Sequence, residues 1–520
     1  MGPFLAQNLP PEKLLALPDV ESAEAYGALE RELLRHVISN GPPPPHRSVF
    51  TNRTLRLEKI RYVGFDLDWT LADYVRSTTL ALIFDLSRDR MVQDLGYPEA
   101  LREVRFDSSF ARRGLLIDRQ AGTVIKMNRH RFVGRAYLGK RRLDDSERKR
   151  LYRHDPINPA SDRFYHVDSL FELPEVNLYA ELIELSQRPE NREHFPAPER
   201  IFADVRQIVD TVHRDGTLKK LILAEPQRFL ERDREVALAL QRFALGGRRL
   251  MLITNAEWFY TKAICSYLFD GILPGVHSWL DLFDLVVVSA RKPSFFRSKV
   301  PFQQIDADGK VLGSCTLPSW KGTYTGGCRD GLAGLLGDNG EEVLYVGDHI
   351  HSDIVATKIG STWRTALIVS ELEEEILRRE ELVTQERQLL QLKRELSALG
   401  HQMDDARDVL TLEQMLAALS NNGSGNERCA QLEVLLADYE RRHRELRSRA
   451  AALREYLSSS FNPYWGSVFR QGGNKSRFGN QVSDFACIYS SRVSNFARYG
   501  TFHYFRVGHD AMVHEDEPAA

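Results

Sequence analysis

Two carboxylates stand two residues apart in the stretch "YVGFDLDWTLADY", residues 62–74, where Asp66 and Asp68 follow an apolar run. A buried acid is costly unless a partner compensates it. The pair therefore either ends a strand in solvent or does chemistry. Three more apolar runs end in polar clusters. Thr254 and Asn255 close "RLMLITN", Lys292 follows "DLVVVSAR", and Asp348 and Asp353 follow "VLYVG". Singly, each has an ordinary reading: a solvated strand end, a helix N-cap or a surface lysine. At successive parallel strand ends they converge on one crevice.

The chemistry such a set can do is phosphoryl transfer. An aspartate that attacks phosphorus forms an acyl-phosphate and splits one hard step into two. Attack by an anion on an anion needs a cation between them. A hard oxygen site of carboxylates and water suits Mg²⁺, and Asp66 and Asp348 can supply it. Lys292, the Thr254 hydroxyl and the Asn255 amide can hold the remaining phosphate oxygens. In an extended backbone Asp68 points to the same side as Asp66. It can protonate the leaving oxygen and then deprotonate water, while Leu67 points into the core.

These residues need a scaffold. Runs at 60–66, 249–255, 284–293, 343–349 and 364–370 are short and nearly all apolar, as buried parallel strands are. Helical patterns lie between them, which predicts a doubly wound α/β sheet with its ligand beyond the carboxyl ends of the strands. About 180 residues separate the first two runs, too many for one crossover, so an insert over about 80–240 is expected. A helix is predicted over 20–39, followed by a proline-rich linker at 41–47. Heptads run through Leu382, Leu389, Leu396 and Met403, and again through Leu432, Tyr439, Leu446 and Leu453, around "SNNGSGNE" at 420–427. They predict a helical hairpin or coiled coil. The tail from about 461 is too aromatic for disorder and is expected to pack on the main body.

Composition narrows the class. A 42% hydrophobic and 27% charged chain of 520 residues suits a soluble protein of two or three domains. A net charge of -2 gives no general attraction to nucleic acid. The N-terminus lacks a signal-peptide pattern, and no run reaches the roughly 18–20 apolar residues of a membrane span. Five scattered cysteines without a C-x-x-C pair favour a reduced, cytoplasmic setting.

The ordered set D-x-D-x-T at Asp66, Asp68 and Thr70, then Thr254-Asn255, Lys292, and G-D-x-x-x-x-D ending at Asp353 resembles the haloacid dehalogenase (HAD) superfamily. The words "SLFELPE" (169–175), "DVRQIVDTVHRDGTLK" (204–219), "LITNAEWFYT", "FNPYWGSVFR" and "VHE" (513–515) look like the cytosolic purine 5'-nucleotidase family, IMP/GMP-preferring type, over about 48–515. The resemblance implies an α/β, HAD-like doubly wound parallel Rossmannoid sheet with an inserted α+β cap and a C-terminal helical hairpin or coiled coil. The boundaries it implies are 1–47 for the N-terminal helix and linker, 48–80 with 245–370 for the core, 81–244 for the cap, 371–460 for the hairpin and 461–520 for the tail. It implies Mg²⁺-dependent hydrolysis of purine nucleoside 5'-monophosphates through an aspartyl-phosphate, with possible phosphotransfer, in a dimer or tetramer.

Residue by residue, Asp66 matches the nucleophile and Asp68 the acid/base. Thr254, Asn255 and Lys292 match the phosphate-binding positions, and Asp66, Asp68, Asp348 and Asp353 the metal set. Phe171 matches the aromatic that stacks on the base. Arg206, Asp210, His213 and Lys219 match the nucleoside pocket. The first three of these stand at i, i+4 and i+7, on one helix face. Glu172 replaces the family's Asn beside the stacking ring, and such an acid suits a base edge that donates hydrogen bonds, as guanine's does. Arg214 replaces a Tyr. Two rival readings are a phosphatase for another metabolite and an interaction scaffold built on the heptads.

Overall fold

The computed structural model describes residues 42–153, 157–191, 195–273, 275–337, 340–420 and 424–508. The helix expected over 20–39 and the "VHE" at 513–515 lie outside them. Seven parallel strands form the centre of a ten-stranded sheet. They are β1 (Tyr62–Phe65), β2 (Arg249–Ile253), β3 (Leu285–Val288), β4 (Thr323–Gly326), β5 (Val343–Gly347), β6 (Arg364–Ile368) and β7 (Ile488–Ser490). Their order across the sheet is β7-β6-β5-β1-β2-β3-β4. The five apolar runs singled out in the sequence are the five adjacent strands β6, β5, β1, β2 and β3. Their side chains are buried on both faces, which is why the runs do not alternate.

The chain winds outward from β1 in both directions, to β2–β4 on one side and to β5–β7 on the other. That reversal opens a crevice at the carboxyl end of β1. Sequence patterning did not reveal β4, which is cut short by glycines, or β7, a three-residue strand contributed by the aromatic tail. One edge is closed by the antiparallel strands Phe302–Ile305 and Val311–Cys315, the other by Phe50–Thr51.

Between β1 and β2 the chain builds an antiparallel five-stranded sheet and several helices. The helices that matter here are α1 (Arg76–Leu95), α2 (Leu173–Ser186), α3 (Pro198–Arg214) and α4 (Thr217–Ala224). In α3, Ile201, Phe202, Val205, Ile208, Val209 and Val212 are buried at helical spacing, and Pro198 opens the helix where no N–H partner is needed.

Residues 42–373 with 468–508 make one compact unit, which holds both the large sheet and the insert. Glu374–Ser467 make another. Its two long helices, Val383–Ser420 and Ser424–Phe461, run with a break shorter than "SNNGSGNE" suggested. Leu392, Leu399, Met403 and Ala406 are buried in the first at spacings of seven, four and three, and Cys429, Ala450 and Leu457 are buried in the second. All five cysteines are free. Among the described residues no helix is long and apolar enough to cross a membrane.

Candidate active site

Asp66 is the first residue after β1, and its N–H donates to the Val346 carbonyl of β5 at 2.9 Å. Its carboxylate is only 13% exposed and lies 2.7 Å from Lys292 Nζ. The ammonium also donates to Asp353 Oδ1 at 2.8 Å and to the Tyr345 hydroxyl at 3.0 Å. Burial pushes the Asp66 carboxyl up to about 7. Lys292 opposes the shift, and Asp353 and Asp68 reinforce it.

Asp348 follows β5 directly, and Asp353 sits one turn later in the wide helical turn Ile350–Val355. The Asp353 carboxylate also accepts from the His349 N–H at 3.1 Å. Gly347 makes this possible, because a Cβ there would lie 2.5 Å from Asp353 Oδ2. Asp66, Asp348 and Asp353 each bring an oxygen within 4.8 Å of the others. Asp348 Oδ2 is buried without a hydrogen-bond partner. Burial holds the Asp348 carboxyl well above the usual range against the pull of Arg113. Three converging carboxylates with an orphaned oxygen form a hard, all-oxygen donor set that fits a divalent cation.

Asp68, expected among the metal acids, lies outside this group. Its carboxylate accepts from the Tyr74 hydroxyl at 2.6 Å, and Tyr74 in turn lies 2.9 Å from the Tyr260 hydroxyl. Burial raises its pKa, with Tyr74, Lys292 and Lys219 opposing. The next residue, Trp69, has φ 56°, and Ser289 and Arg291, just before Lys292, have φ 47° and 58°. Such backbones cost on the order of 1–3 kcal/mol each and cluster where a structure holds functional groups in place.

Thr254 and Asn255 reach the crevice from β2. Thr254 is fully buried, and its hydroxyl accepts from the Ala256 N–H at 3.1 Å. The Asn255 side chain clasps the backbone of Lys292, accepting from its N–H at 2.6 Å and donating to its carbonyl at 3.0 Å. Asn255 thus fixes the lysine that meets Asp66.

An aspartate held by a lysine, a second acid on a separate hydrogen bond and three converging carboxylates make an arrangement that can serve phosphoryl transfer. The 5' nucleotidase family model matches residues 49–517, nearly the whole described chain. The chain belongs to the 5'-nucleotidase family. It is also 30% identical over 484 residues to a 5'-nucleotidase domain-containing protein of Dictyostelium discoideum, covering 89% of this chain and 74% of that protein.

In this 5'-nucleotidase the insert's residues divide into two groups. Phe171 stands edge-on to Trp69 (5.6 Å between centroids), Tyr74 (5.8 Å) and His213 (5.4 Å). Its ring thus adjoins the loop that carries Asp68. Burial holds the His213 imidazole down to about 4, so it is neutral at pH 7. Lys219 on α4 pairs with Glu257 at 2.7 Å and lies over the rings of Phe259 and Tyr260. Arg206 and Asp210 pair with each other at 3.2 Å and line an open cavity of about 460 Å³ together with Arg119, Phe202, Gln207 and Arg214. Arg206 also donates to the Tyr165 hydroxyl and to buried Glu175, both at 2.7 Å.

Glu172 corrects the base-edge expectation. One oxygen accepts from the Tyr165 hydroxyl at 2.7 Å. The other accepts from the N–H groups of Asp168 (2.7 Å) and Ser169 (3.0 Å), closing a capping box ahead of α2. Its oxygens are engaged by the insert's own groups, one by the Tyr165 hydroxyl and the other by backbone N–H.

Three residues of the enzyme's site had no assigned role in the sequence reading. Tyr74 and Tyr345 each put a hydroxyl into an otherwise apolar strand or turn, which is a usable signal, since a buried hydroxyl needs a partner. Gly64 makes room for Tyr345, whose ring a Cβ would meet at 2.9 Å. The third, Arg113, gives no local signal, because its partners are more than 200 residues away.

Proposed function

We propose that the enzyme hydrolyses purine nucleoside 5'-monophosphates such as IMP and GMP, through an aspartyl-phosphate on Asp66, with Mg²⁺ at the three-carboxylate site and a HAD-like core. The observation that carries this reading is the separation of the two acids. Asp66 faces Lys292 and the acid cluster, while Asp68 faces Tyr74. Two carboxyls in unlike surroundings can take unlike roles.

The ionised Asp66 attacks phosphorus, and Lys292 lies where it neutralises charge on the transferring group. Asp68 gives its proton to the departing 5'-oxygen. It then takes a proton from the water that hydrolyses the Asp66 acyl-phosphate, releasing inorganic phosphate and restoring both acids. When bound, Mg²⁺ supplies the positive charge that lets an anion approach an anion. Phe171, supported by Trp69, Tyr74 and His213, offers the aromatic face for a base. The purine preference rests on that face, not on Glu172.

The test is phosphate release from IMP, GMP, AMP, CMP and UMP, with and without Mg²⁺, in the native enzyme and in Asp66→Asn. Mg²⁺-dependent release, fastest with the purines and lost in the variant, is expected. Full activity in Asp66→Asn would overturn the mechanism. Equal rates on all bases, reduced alike in Phe171→Ala, would overturn the specificity.

A further inference from the structure

Arg113 is a wholly buried arginine of the insert, with 0% of its side chain exposed. Its Nε donates to Glu371 Oε1 at 2.9 Å, and its Nη2 to Glu371 Oε2. The remaining nitrogen, Nη1, donates to the Asp348 main-chain carbonyl at 2.9 Å and lies 3.7 Å from Asp348 Oδ2. Glu371 is equally buried and comes just after β6. Arg113, itself held by Glu371, thus grips the residue that follows β5.

A buried ion pair adds little stability compared with apolar residues of the same size. What a planar, forked guanidinium adds is fixed geometry. Here Nε and Nη2 are engaged by Glu371, so the remaining nitrogen is aimed at the Asp348 backbone. Asp348 Oδ2 is left without a hydrogen bond, and the Asp348 carboxylate brings an oxygen within 4.8 Å of oxygens of the other two acids. Glu371 also cancels the arginine's charge, which would otherwise repel a cation a few ångströms away.

We propose that the Arg113–Glu371 pair is the positioning device of the cation site: it holds Asp348 in its ligating orientation and ties that orientation to the insert. This rests on the reading that the three carboxylates bind Mg²⁺. Outer partners of metal ligands typically change affinity 10–100-fold when removed.

The test is calorimetric titration of the full-length protein with Mg²⁺, without substrate. The native protein should bind and Asp348→Asn should not; if the native protein does not bind, it is the metal reading that fails. Glu371→Gln, which leaves the guanidinium uncompensated, should weaken binding at least 10-fold. Arg113→Met/Glu371→Met, with no net charge change, should weaken it about 10-fold as well, with KM for nucleotide at saturating Mg²⁺ unchanged. Arg113→Lys keeps the charge but not the fork. It should show the same loss, and it serves if the double variant fails to fold. Binding within 2-fold of native in the double variant or in Arg113→Lys would overturn the positioning role.

Discussion

Replacing Lys292 by Met removes a cation that touches both Asp66 (2.7 Å) and Asp353 (2.8 Å). Breaking a buried pair by deleting one partner costs about 3–5 kcal/mol, because the other charge stays buried. The cost must depend on pH, and the sign follows from Asp66. Its folded pKa, about 7, already lies above the ordinary 3.8, so the native state holds a proton that the unfolded state has lost. Stability of the metal-free protein therefore falls as pH rises from about 4 to about 7, and levels off above. Lys292 is the influence that lowers this pKa. Without it the proton is retained to higher pH, and the decline continues past 7. With 1.36 kcal/mol per unit per group, the variant's deficit should grow by about 1 kcal/mol between pH 6 and pH 8. Urea denaturation of both proteins in EDTA at the two pH values measures this. A deficit equal at pH 6 and 8, or larger at pH 6, would refute the assignment of Lys292 as the group that keeps Asp66 ionisable.

Three further outcomes are expected. Tyr74→Phe removes the hydroxyl that lowers the Asp68 pKa, so the limb of the kcat/KM–pH profile that reports Asp68 should move to higher pH, with about 1.5–3 kcal/mol at stake for a hydrogen bond to a charged group. Gly347→Ala puts a Cβ 2.5 Å from Asp353 Oδ2; it should cost about 1–3 kcal/mol by thermal melting and weaken Mg²⁺ binding measured by titration. His213 has a folded pKa near 4 against an ordinary 6.5, so its stabilising effect is present above 6.5 and lost as pH falls through that window; at pH 5 the native protein should lose about 2 kcal/mol that His213→Gln keeps, as read by urea denaturation.

What the sequence made legible and what it hid have physical reasons. Asp66, Thr254, Lys292 and Asp348 could be found because each follows a buried strand whose apolar run marks its position, and parallel strands deliver their ends to one side. Asp353 could be found through its fixed offset from Asp348. Glu172 was misread because a carboxylate three residues after Ser169 is equally a capping residue, and the local signal S-x-x-E outweighs the resemblance at that position. The resemblance grouped Asp68 with the metal acids, and alternation gives the side it faces but not the partner its carboxylate finds. The partner is Tyr74, brought back by the left-handed turn at Trp69. Arg113 was invisible, since pairing across 258 residues leaves no periodicity to read.

The same geometry explains why the acids of the crevice do not behave as one pool of charge. Asp66, Asp348 and Asp353 share a small volume with Lys292 and, at one remove, Arg113. Each carboxylate raises the cost of ionising its neighbours, and burial raises it further. That cluster is therefore underpaid in positive charge, which is the condition for drawing in a divalent cation and releasing protons. Asp68 lies outside the cluster, and burial raises its pKa although the Tyr74 hydroxyl opposes the rise, so a cation bound by the other three acids would leave Asp68 able to carry a proton. A nucleophile must be charged when the proton donor is not. Two aspartates two residues apart can meet that requirement only if their surroundings differ: burial favours the proton on Asp68 against the opposing Tyr74 hydroxyl, whereas Asp66 lies directly on the Lys292 ammonium and beside the two other acids of the cluster.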